Sequence, residues 1–449
     1  MKRLRAQAAL WIGWLVTILL RLIGRRGTSL PGLVASRVSP DLLFRLLSQL
    51  EQCVVITGTN GKTTTSALLY SMLTDDEHPW LTNRGGANLL QGLLGALLPH
   101  VDGRGRMRVR RAVLEVDEAT LPRITDHYHP TLIVVTNVVR DQLDRYGEVD
   151  GALALLRSGL QYPGTILLTN ADDPLATSLG WERELTYYYG MEECPVDAAP
   201  RNEVRDGAFC LICGQELHYE RYIYGQLGYY SCGNGHFDRP EPHYGGKTNS
   251  SFEVVIRERA NAGRQEEFAV QAGVLGLYND YNVLAAAAAA RLLGRSLRHI
   301  QMGAGRFEAP LGRMQLFPGF PDRILALIKN PTGANSVLRT LEADERDKVV
   351  CFAINDADAD GRDVSWLWDV DLEWFVAAGR CQSYICAGTR ALDMAVRLAY
   401  AGVDREAIRI SDQLPDMLGM TSGLTVPVYV LSTYTALYPL GEELRGATR

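Results

Sequence analysis

Apolar, β-branched runs alternating with helix-forming stretches predict an α/β fold for this 449-residue chain, and three observations carry the prediction. First, Val54, Val55 and Ile56 meet a glycine-rich turn and then a helix-forming stretch, so "VVITGTNGKTTTSALL" (54–69) reads as strand, loop and helix. Second, the runs in "RRAVLEVDEATL" (110–121) and "PTLIVVTNVVRDQLDRYG" (130–147) end in polar residues, as parallel strands do when ligands gather at their carboxyl edge. Third, "DRILALIKNPTGAN" and "KVVCFAINDADADGRDVSWLWD" repeat that pattern later in the chain. The expected organisation is a basic and apolar segment over 1–27, a larger α/β domain over 28–309 and a smaller one over 310–449.

The loop of the first unit specifies phosphate binding. Gly58 and Gly61 let the backbone curl so that successive N–H groups point inward at a helix N-terminus, which favours an anion. Lys62 supplies a point charge for the terminal phosphates, and the Thr63 hydroxyl a ligand for Mg²⁺. Thr57 stands where the generic loop has a further glycine, so the compact form Thr57, Gly58, Thr59, Asn60, Gly61, Lys62, Thr63, Thr64 is not the loop of GTPases. A Gly-Lys-Thr tripeptide in an arbitrary turn means little; the flanking strand and helix give it meaning.

Glu115, Asp117 and Glu118 end the next strand beside that loop, where a carboxylate such as Glu115 can hold Mg²⁺; the plainer reading is a solvated acidic strand end. Asn137 and Asp141 end the following strand in the same fashion.

Apolar content of 47%, charged content of 22% and a net charge of −6 fit a globular protein without a nucleic-acid surface. Eight cysteines in a chain of this size do not suggest a disulfide scaffold, and a phosphate-loop protein is expected in the reducing cytoplasm. The opening "MKRLRAQAALWIGWLVTILLRLIGRR" complicates this picture. Its apolar stretch, roughly Ala8 to Leu20, is shorter than the ~20 residues of a spanning helix. It has basic residues at both ends and no small-residue cleavage site. Two readings stand: contact with the inner face of an anionic membrane, or a first helix buried on the domain behind it.

Between Cys194 and Pro242 the helical period disappears and Tyr, Gly and Cys accumulate. Cys210 and Cys213 form C-x-x-C in "FCLICGQELHY", and Cys232 and His236 follow in "YYSCGNGHFDRP". Two chelating pairs joined by a hairpin suit a zinc ribbon inserted at about 194–242, with Cys194, His218 and His243 as reserve ligands. The bland alternative is four unrelated buried side chains. Farther on, Asn279 and Asn282 lie on one face of the first turn of an alanine-rich helix, placed to meet an adenine edge or to cap the helix. Arg313 follows in the linker to the second domain.

"GTNGKTTT", "LEVDEA", "TNVVRDQLDRYGE", "GLYNDYN" and "GRMQ", in this order, resemble the Mur ligase family. With the cysteine-bearing insert and the "GRDVSWLWD" tail, the resemblance narrows to its MurT branch and spans roughly residues 28–440. It implies ATP-dependent activation of a carboxylate as an acyl phosphate, here the D-glutamate α-carboxyl of the lipid II stem peptide. It also implies amidation with ammonia from a GatD-type glutamine amidotransferase partner. By the same resemblance Asn279, Asn282 and Arg313 belong to the nucleotide pocket and Asn83 and Asn88 to the substrate edge, while Lys329, as a further ATP contact, is expected to join Lys62 and Thr63 in stabilising charge on the transferring phosphoryl group. Asp363, alone among the nearby aspartates Asp356, Asp358 and Asp360, matches the position implied to complete the partner's Cys–His pair. The acidic residue other Mur ligases carry before the Asn-Pro segment is apolar here, around Ala326. Two rival readings are a folylpolyglutamate synthetase-like ligase and a non-catalytic nucleotide-binding scaffold for an amidotransferase. The insert and the tail argue against the first, and Lys62, Thr63 and Glu115 against the second.

Overall fold

The computed structural model describes residues 2–22, 29–83, 87–139, 149–194, 206–248, 253–259, 265–309, 311–317, 319 and 321–447. Asp141, Gly85 and Gly86 lie outside them.

Two sheets organise the chain. The first contains β1 (Gln52–Thr57), β2 (Leu81–Thr82), β3 (Arg111–Glu115), β4 (Leu132–Val135), β5 (Ile166–Asn170) and β6 (Thr186–Glu193). It is completed by β9 (Tyr244–Thr248), β10 (Glu253–Arg259) and β11 (Gln265–Gln271), in the order β11-β10-β9-β6-β5-β4-β1-β3-β2. All neighbours from β2 to β9 pair in parallel, and β10 and β11 add an antiparallel edge. Between β6 and β9 the chain leaves the sheet for a hairpin, β7 (His218–Tyr224) and β8 (Leu227–Ser231).

The second sheet holds β12 (Arg313–Phe317), β13 (Arg323–Leu327), β14 (Lys348–Ala353), β15 (Cys381–Ala387), β16 (Ile408–Ile410) and β17 (Val428–Ser432). Its order is β12-β13-β17-β14-β15-β16, parallel except for β12.

Strand β1 decides where the site lies. It pairs with β3 on one side and β4 on the other, so the chain order reverses there and a crevice opens at the carboxyl ends. Its side chains alternate between two cores, as strand geometry requires: Val54 and Ile56 point to one, Cys53 and Val55 to the other. The first core includes the helix Leu277–Leu292, whose Ala285 to Ala290 are fully buried because methyl side chains let helix and sheet approach closely. The second includes the helix Lys2–Leu22, of which Ala6, Ala9 and Leu10 are buried. The two readings of this segment therefore divide by face, since one side packs on the domain and the other does not. No helix among the described residues is long and apolar enough to cross a membrane.

Candidate active site and metal centre

The phosphate loop leaves β1 and enters the helix Lys62–Leu73 through two glycines with left-handed backbone, Gly58 (φ 109°) and Gly61 (φ 85°). A Cβ on Gly58 would stand 2.7 Å from the Asn137 carbonyl oxygen, so that glycine is required by space as well as by φ; one on Gly61 would displace the Asn282 carboxamide, and there φ is the stricter demand. The loop is held from β4. Thr59 N–H donates to the Asn137 carbonyl (2.9 Å), and Asn60 N–H to Asn137 Oδ1 (2.9 Å). Asn137 Nδ2 returns a bond to the Asn60 carbonyl (3.1 Å). Asn137, marked by the sequence only as a strand end, is thus the clamp that fixes the loop's shape.

Lys62 folds over the loop. Its ammonium donates to the carbonyls of Gly58 and Thr59 and lies 3.1 Å from Glu118 Oε1. On the elements that flank the loop, three buried oxygens, Thr57 Oγ1 at the end of β1, Thr64 Oγ1 in the helix after the loop and Glu115 Oε2 at the end of β3, have no hydrogen-bond partner among the described residues. Buried polar atoms are nearly always paired, so three such atoms flanking one loop mark a place built for something polar. Hydroxyl and carboxylate oxygens are what a hard cation with its phosphates takes, and Thr63 opens the helix beside them. Glu115 Oε1 is approached by Asn88 Nδ2 at 3.4 Å. Asn83 braces the same edge: its Oδ1 accepts from Glu115 N–H (2.8 Å), and its Nδ2 donates to the carbonyls of Glu115 (2.7 Å) and Ala87 (3.0 Å).

A pocket continues from Asn60 and Gly61 between the two sheets, walled by Tyr189, Tyr224, Tyr278 and Tyr281, with Arg313 and Lys329 at its C-terminal-domain side. A bulge in β12 at Met314 (φ 53°) leaves Arg313 lining this pocket. Asn282 lines it too, whereas Asn279 stands behind. Asn279 Nδ2 donates to the Leu275 carbonyl (2.7 Å), and its Oδ1 accepts from Asn282 Nδ2 (3.1 Å). Asn282 Oδ1 in turn accepts from Thr65 Oγ1 (3.2 Å). Neither residue caps its own helix; together they brace the phosphate-loop helix against it.

The second domain closes the site. Asn60 and Asn330 exchange side-chain amide bonds, with Asn330 Nδ2 donating to Asn60 Oδ1 at 3.1 Å. Asn330 also caps the helix Pro331–Ala343 by accepting from Gly333 N–H (2.8 Å), so two helix N-termini converge on the pocket. Asn-Pro is a helix-start signal readable from sequence; its reach to Asn60, 270 positions away, is not. Tyr434, which no local pattern marks, comes near Glu115. Burial, the Tyr438 hydroxyl (3.4 Å) and the Glu115 carboxylate push its hydroxyl up to about 12.

The acidic loop after β14 separates by role. Asp360 is buried and accepts from Thr435 N–H (2.7 Å) and Thr435 Oγ1 (2.5 Å). Asp356 pairs with Arg390, and Asp358 with Arg362. Asp363 is exposed and accepts from Ser365 N–H (2.8 Å), a bond that holds its carboxyl below the usual range.

In the insert, Cys210, Cys213, Cys232 and His236 bring their ligand atoms within 4.8 Å of one another. Cys213 Sγ lies 3.7 Å from Cys232 Sγ, and His236 Nδ1 lies 3.6 Å from Cys232 Sγ and 3.9 Å from Cys210 Sγ. A tetrahedral zinc with ordinary bond lengths demands about 3.8 Å between sulfurs and about 3.6 Å between sulfur and nitrogen. The cluster is therefore compatible with zinc. Each knuckle turns on a left-handed glycine, Gly214 (φ 71°) and Gly235 (φ 67°). The reserve candidates are elsewhere: Cys194 is near Asp172, His218 is exposed on β7, and His243 accepts from Tyr188 N–H (3.1 Å).

Asp172 is a main anchor between the ribbon and the sheet. Asp172 Oδ1 accepts from Arg239 Nε (2.6 Å), and its Oδ2 from Met191 N–H (2.7 Å) and the Tyr281 hydroxyl (2.6 Å). Its carbonyl takes Gly228 N–H (3.0 Å). The hairpin tip also reaches the pocket between the two sheets with Tyr224 and Leu227.

Residues 56–208 match the Mur ligase middle domain family, and residues 327–437 the MurT ligase C-terminal family. The chain is 34% identical over 431 residues to the lipid II isoglutaminyl synthase (glutamine-hydrolyzing) subunit MurT of Staphylococcus aureus, covering 94% of each. It is 34% identical over 423 residues to the subunit of the same name from Streptococcus pneumoniae, covering 93% of this chain and 92% of the relative. Among solved structures it resembles a pseudomurein peptide ligase type C from Methanothermus fervidus, with TM-score 0.66, 21% identity and coverage of 90% and 80%. It also resembles the MurF ligase from Thermotoga maritima in complex with ADP, with TM-score 0.62, 13% identity and coverage of 92% and 85%. These two likenesses show the fold alone.

Proposed function

We propose, from the premise that this chain belongs to the MurT family of Mur ligase-like proteins, that it is the ATP-dependent ligase subunit of a lipid II isoglutaminyl synthase. In this reading ATP phosphorylates the α-carboxyl of the stem-peptide D-glutamate, ammonia attacks the acyl phosphate, and inorganic phosphate leaves. A carboxylate is a poor electrophile, and the phosphate leaving group makes the amide bond accessible. The ammonia comes from a GatD-type glutamine amidotransferase, and the pair works in the cytoplasm at the inner membrane face. Residues 28–309 form the ATP-binding domain, 310–449 the C-terminal domain and 1–27 a basic and apolar leading segment packed on the first.

The observation that carries the reading is that the loop bearing Lys62 and the adjacent strand end hold three buried oxygens without partners among the described residues, those of Thr57, Thr64 and Glu115, at the switch point of the sheet. Thr63 and Glu115 would hold Mg²⁺, which when bound neutralises charge on the transferring phosphoryl group. The loop Gly58–Gly61 and Lys62 would cradle the phosphates, Lys62 exchanging the Glu118 carboxylate for phosphate oxygens. The tyrosine-walled pocket, with Asn282, Arg313 and Lys329, would take the nucleoside, while Asn279 supports Asn282. Asn88, and Asn83 through its bracing of Glu115, would shape the acceptor edge. Cys210, Cys213, Cys232 and His236 would hold a structural zinc. Asp363 would orient the partner's histidine, its exposure leaving it available across an interface.

The test is phosphate release from ATP and amide formation on lipid II by the complex with its amidotransferase. Lys62→Ala should lower amidation by roughly 10²–10³ or more, as removal of a transition-state donor does, while the fold and the complex persist. A wild-type rate in this variant would overturn the ligase reading.

A further inference from the structure

We infer that the outward face of the helix Lys2–Leu22 is a docking surface for an anionic lipid bilayer, on which the helix lies flat. Leu4, Trp11, Leu15, Ile18, Leu19 and Leu22 are all exposed, Leu4 by 76% and Leu22 by 78%. At 100° per residue these six positions fall within an arc of about 100°, so they form one continuous apolar stripe.

The opposite arc is committed to the protein. Ala6, Ala9 and Leu10 are buried, and a Cβ on Gly13 would meet Leu98 Cδ1 at 2.7 Å and Ala35 Cβ at 3.4 Å. Trp14 Nε1 donates to the Leu98 carbonyl (2.9 Å), and Gln7 Nε2 to the Gly103 carbonyl (2.5 Å). Small residues along this seam let the helix approach closely and fix its rotation, so the stripe is presented outward. Lipid cannot surround a helix fastened along one side. The geometry that remains is an in-plane one, with the stripe in the interface.

Charge selects the occupant. The first forty residues contain Lys2, Arg3, Arg5, Arg21, Arg25, Arg26 and Arg37 and no acidic residue, within a chain of net charge −6. Such a segment repels a second copy of itself and is drawn to a negatively charged surface. Position agrees with use. The helix packs on the helix Leu30–Val38, where Gly32 lies against the backbone of Gln91 and Gly95 in the helix Leu90–Leu97. That helix follows Asn88 at the Glu115 edge. Two helices thus connect the stripe to the acceptor side. The surface stands without the amidation reading; only its relevance to a lipid-linked acceptor rests on that reading.

The experiment is flotation of the full-length protein with phosphatidylcholine vesicles, with and without about one-third phosphatidylglycerol. Wild type should float with the anionic vesicles and at least tenfold less with the zwitterionic ones. Leu15→Glu/Ile18→Glu, with unchanged melting temperature and nucleotide binding, should lose at least tenfold. Absence of wild-type flotation at physiological salt, or equal flotation of the double variant, would overturn the inference. So would a stable dimer in solution that the double variant dissolves. In a second arm, the double variant should amidate detergent-solubilised lipid II normally but vesicle-embedded lipid II poorly. Equal loss on both substrates would overturn the docking role, whereas no amidation by wild type on either would count against the amidation reading alone.

Discussion

Gly61→Ala perturbs the phosphate loop in two separable ways. Holding alanine at φ 85° costs roughly 1–2 kcal/mol, the penalty of a Cβ in the left-handed region. The new Cβ also stands 2.3 Å from Asn282 Oδ1, so the carboxamide must retreat. Its bonds to Thr65 (3.2 Å) and Asn279 (3.1 Å) are the ones at risk. Losing both, at about 1 kcal/mol each, brings the total to about 3–4 kcal/mol. Borne by the nucleotide-competent loop, about 3 kcal/mol corresponds to a loss of ATP affinity on the order of 10²-fold, measurable by calorimetric titration. Asn282→Ala alone should cost about 2 kcal/mol, since it removes the bonds without the strain. The double variant should cost no more than Gly61→Ala, because the shared bonds are lost once and the clash is gone. Wild-type nucleotide affinity and melting temperature in Gly61→Ala would refute the reasoning. So would a double-variant loss equal to the sum of the singles.

The insert should carry about one zinc per chain by metal analysis, given its single four-ligand set; Cys210→Ser should release it and lower the melting temperature, and a metal-free preparation of full stability would refute the site. Asp363→Asn should depress glutamine hydrolysis by the complex by roughly 10⁴, as loss of the triad carboxylate does, and high ammonia should restore amidation. Asp358→Asn, in an exposed pair with Arg362, is the control, and equal sensitivity there would remove support for the triad role. Asp360 would not serve as one, because its buried bonds to Thr435 make Asp360→Asn a stability variant.

What the sequence disclosed was local. The strand, loop and helix around Lys62 are adjacent in the chain, and the two cysteine knuckles carry their own glycines. His236 sits beside Cys232, so its selection over Cys194, His218 and His243 needed only short-range geometry. What stayed hidden depends on distant segments meeting. The strand-end pattern puts Glu118 beside the loop, yet its ion pair with Lys62 follows only from the packing, and nothing near Tyr434 announces Glu115. Asn279 and Asn282 share one helix face, as their spacing implies, yet the Thr65 hydroxyl that meets Asn282 follows only from how that helix packs. The leading helix is ambiguous for a different reason: its central stretch, roughly Ala8 to Leu20, is apolar nearly all round, and periodicity cannot say which face finds a partner.

Asp172 has consequences for how this molecule opens. Its side chain is fully buried, and it joins four separate stretches of chain: the end of β6, the start of β8, the Arg239 segment and the alanine-rich helix. Freeing any one of them leaves a charge or a donor stranded in a low-dielectric interior, which is far more costly than releasing a surface contact. These stretches therefore form one cooperative unit, whose amides exchange hydrogen together rather than piecemeal. The ribbon, entered in the sequence as an insertion, is energetically part of the sheet it interrupts.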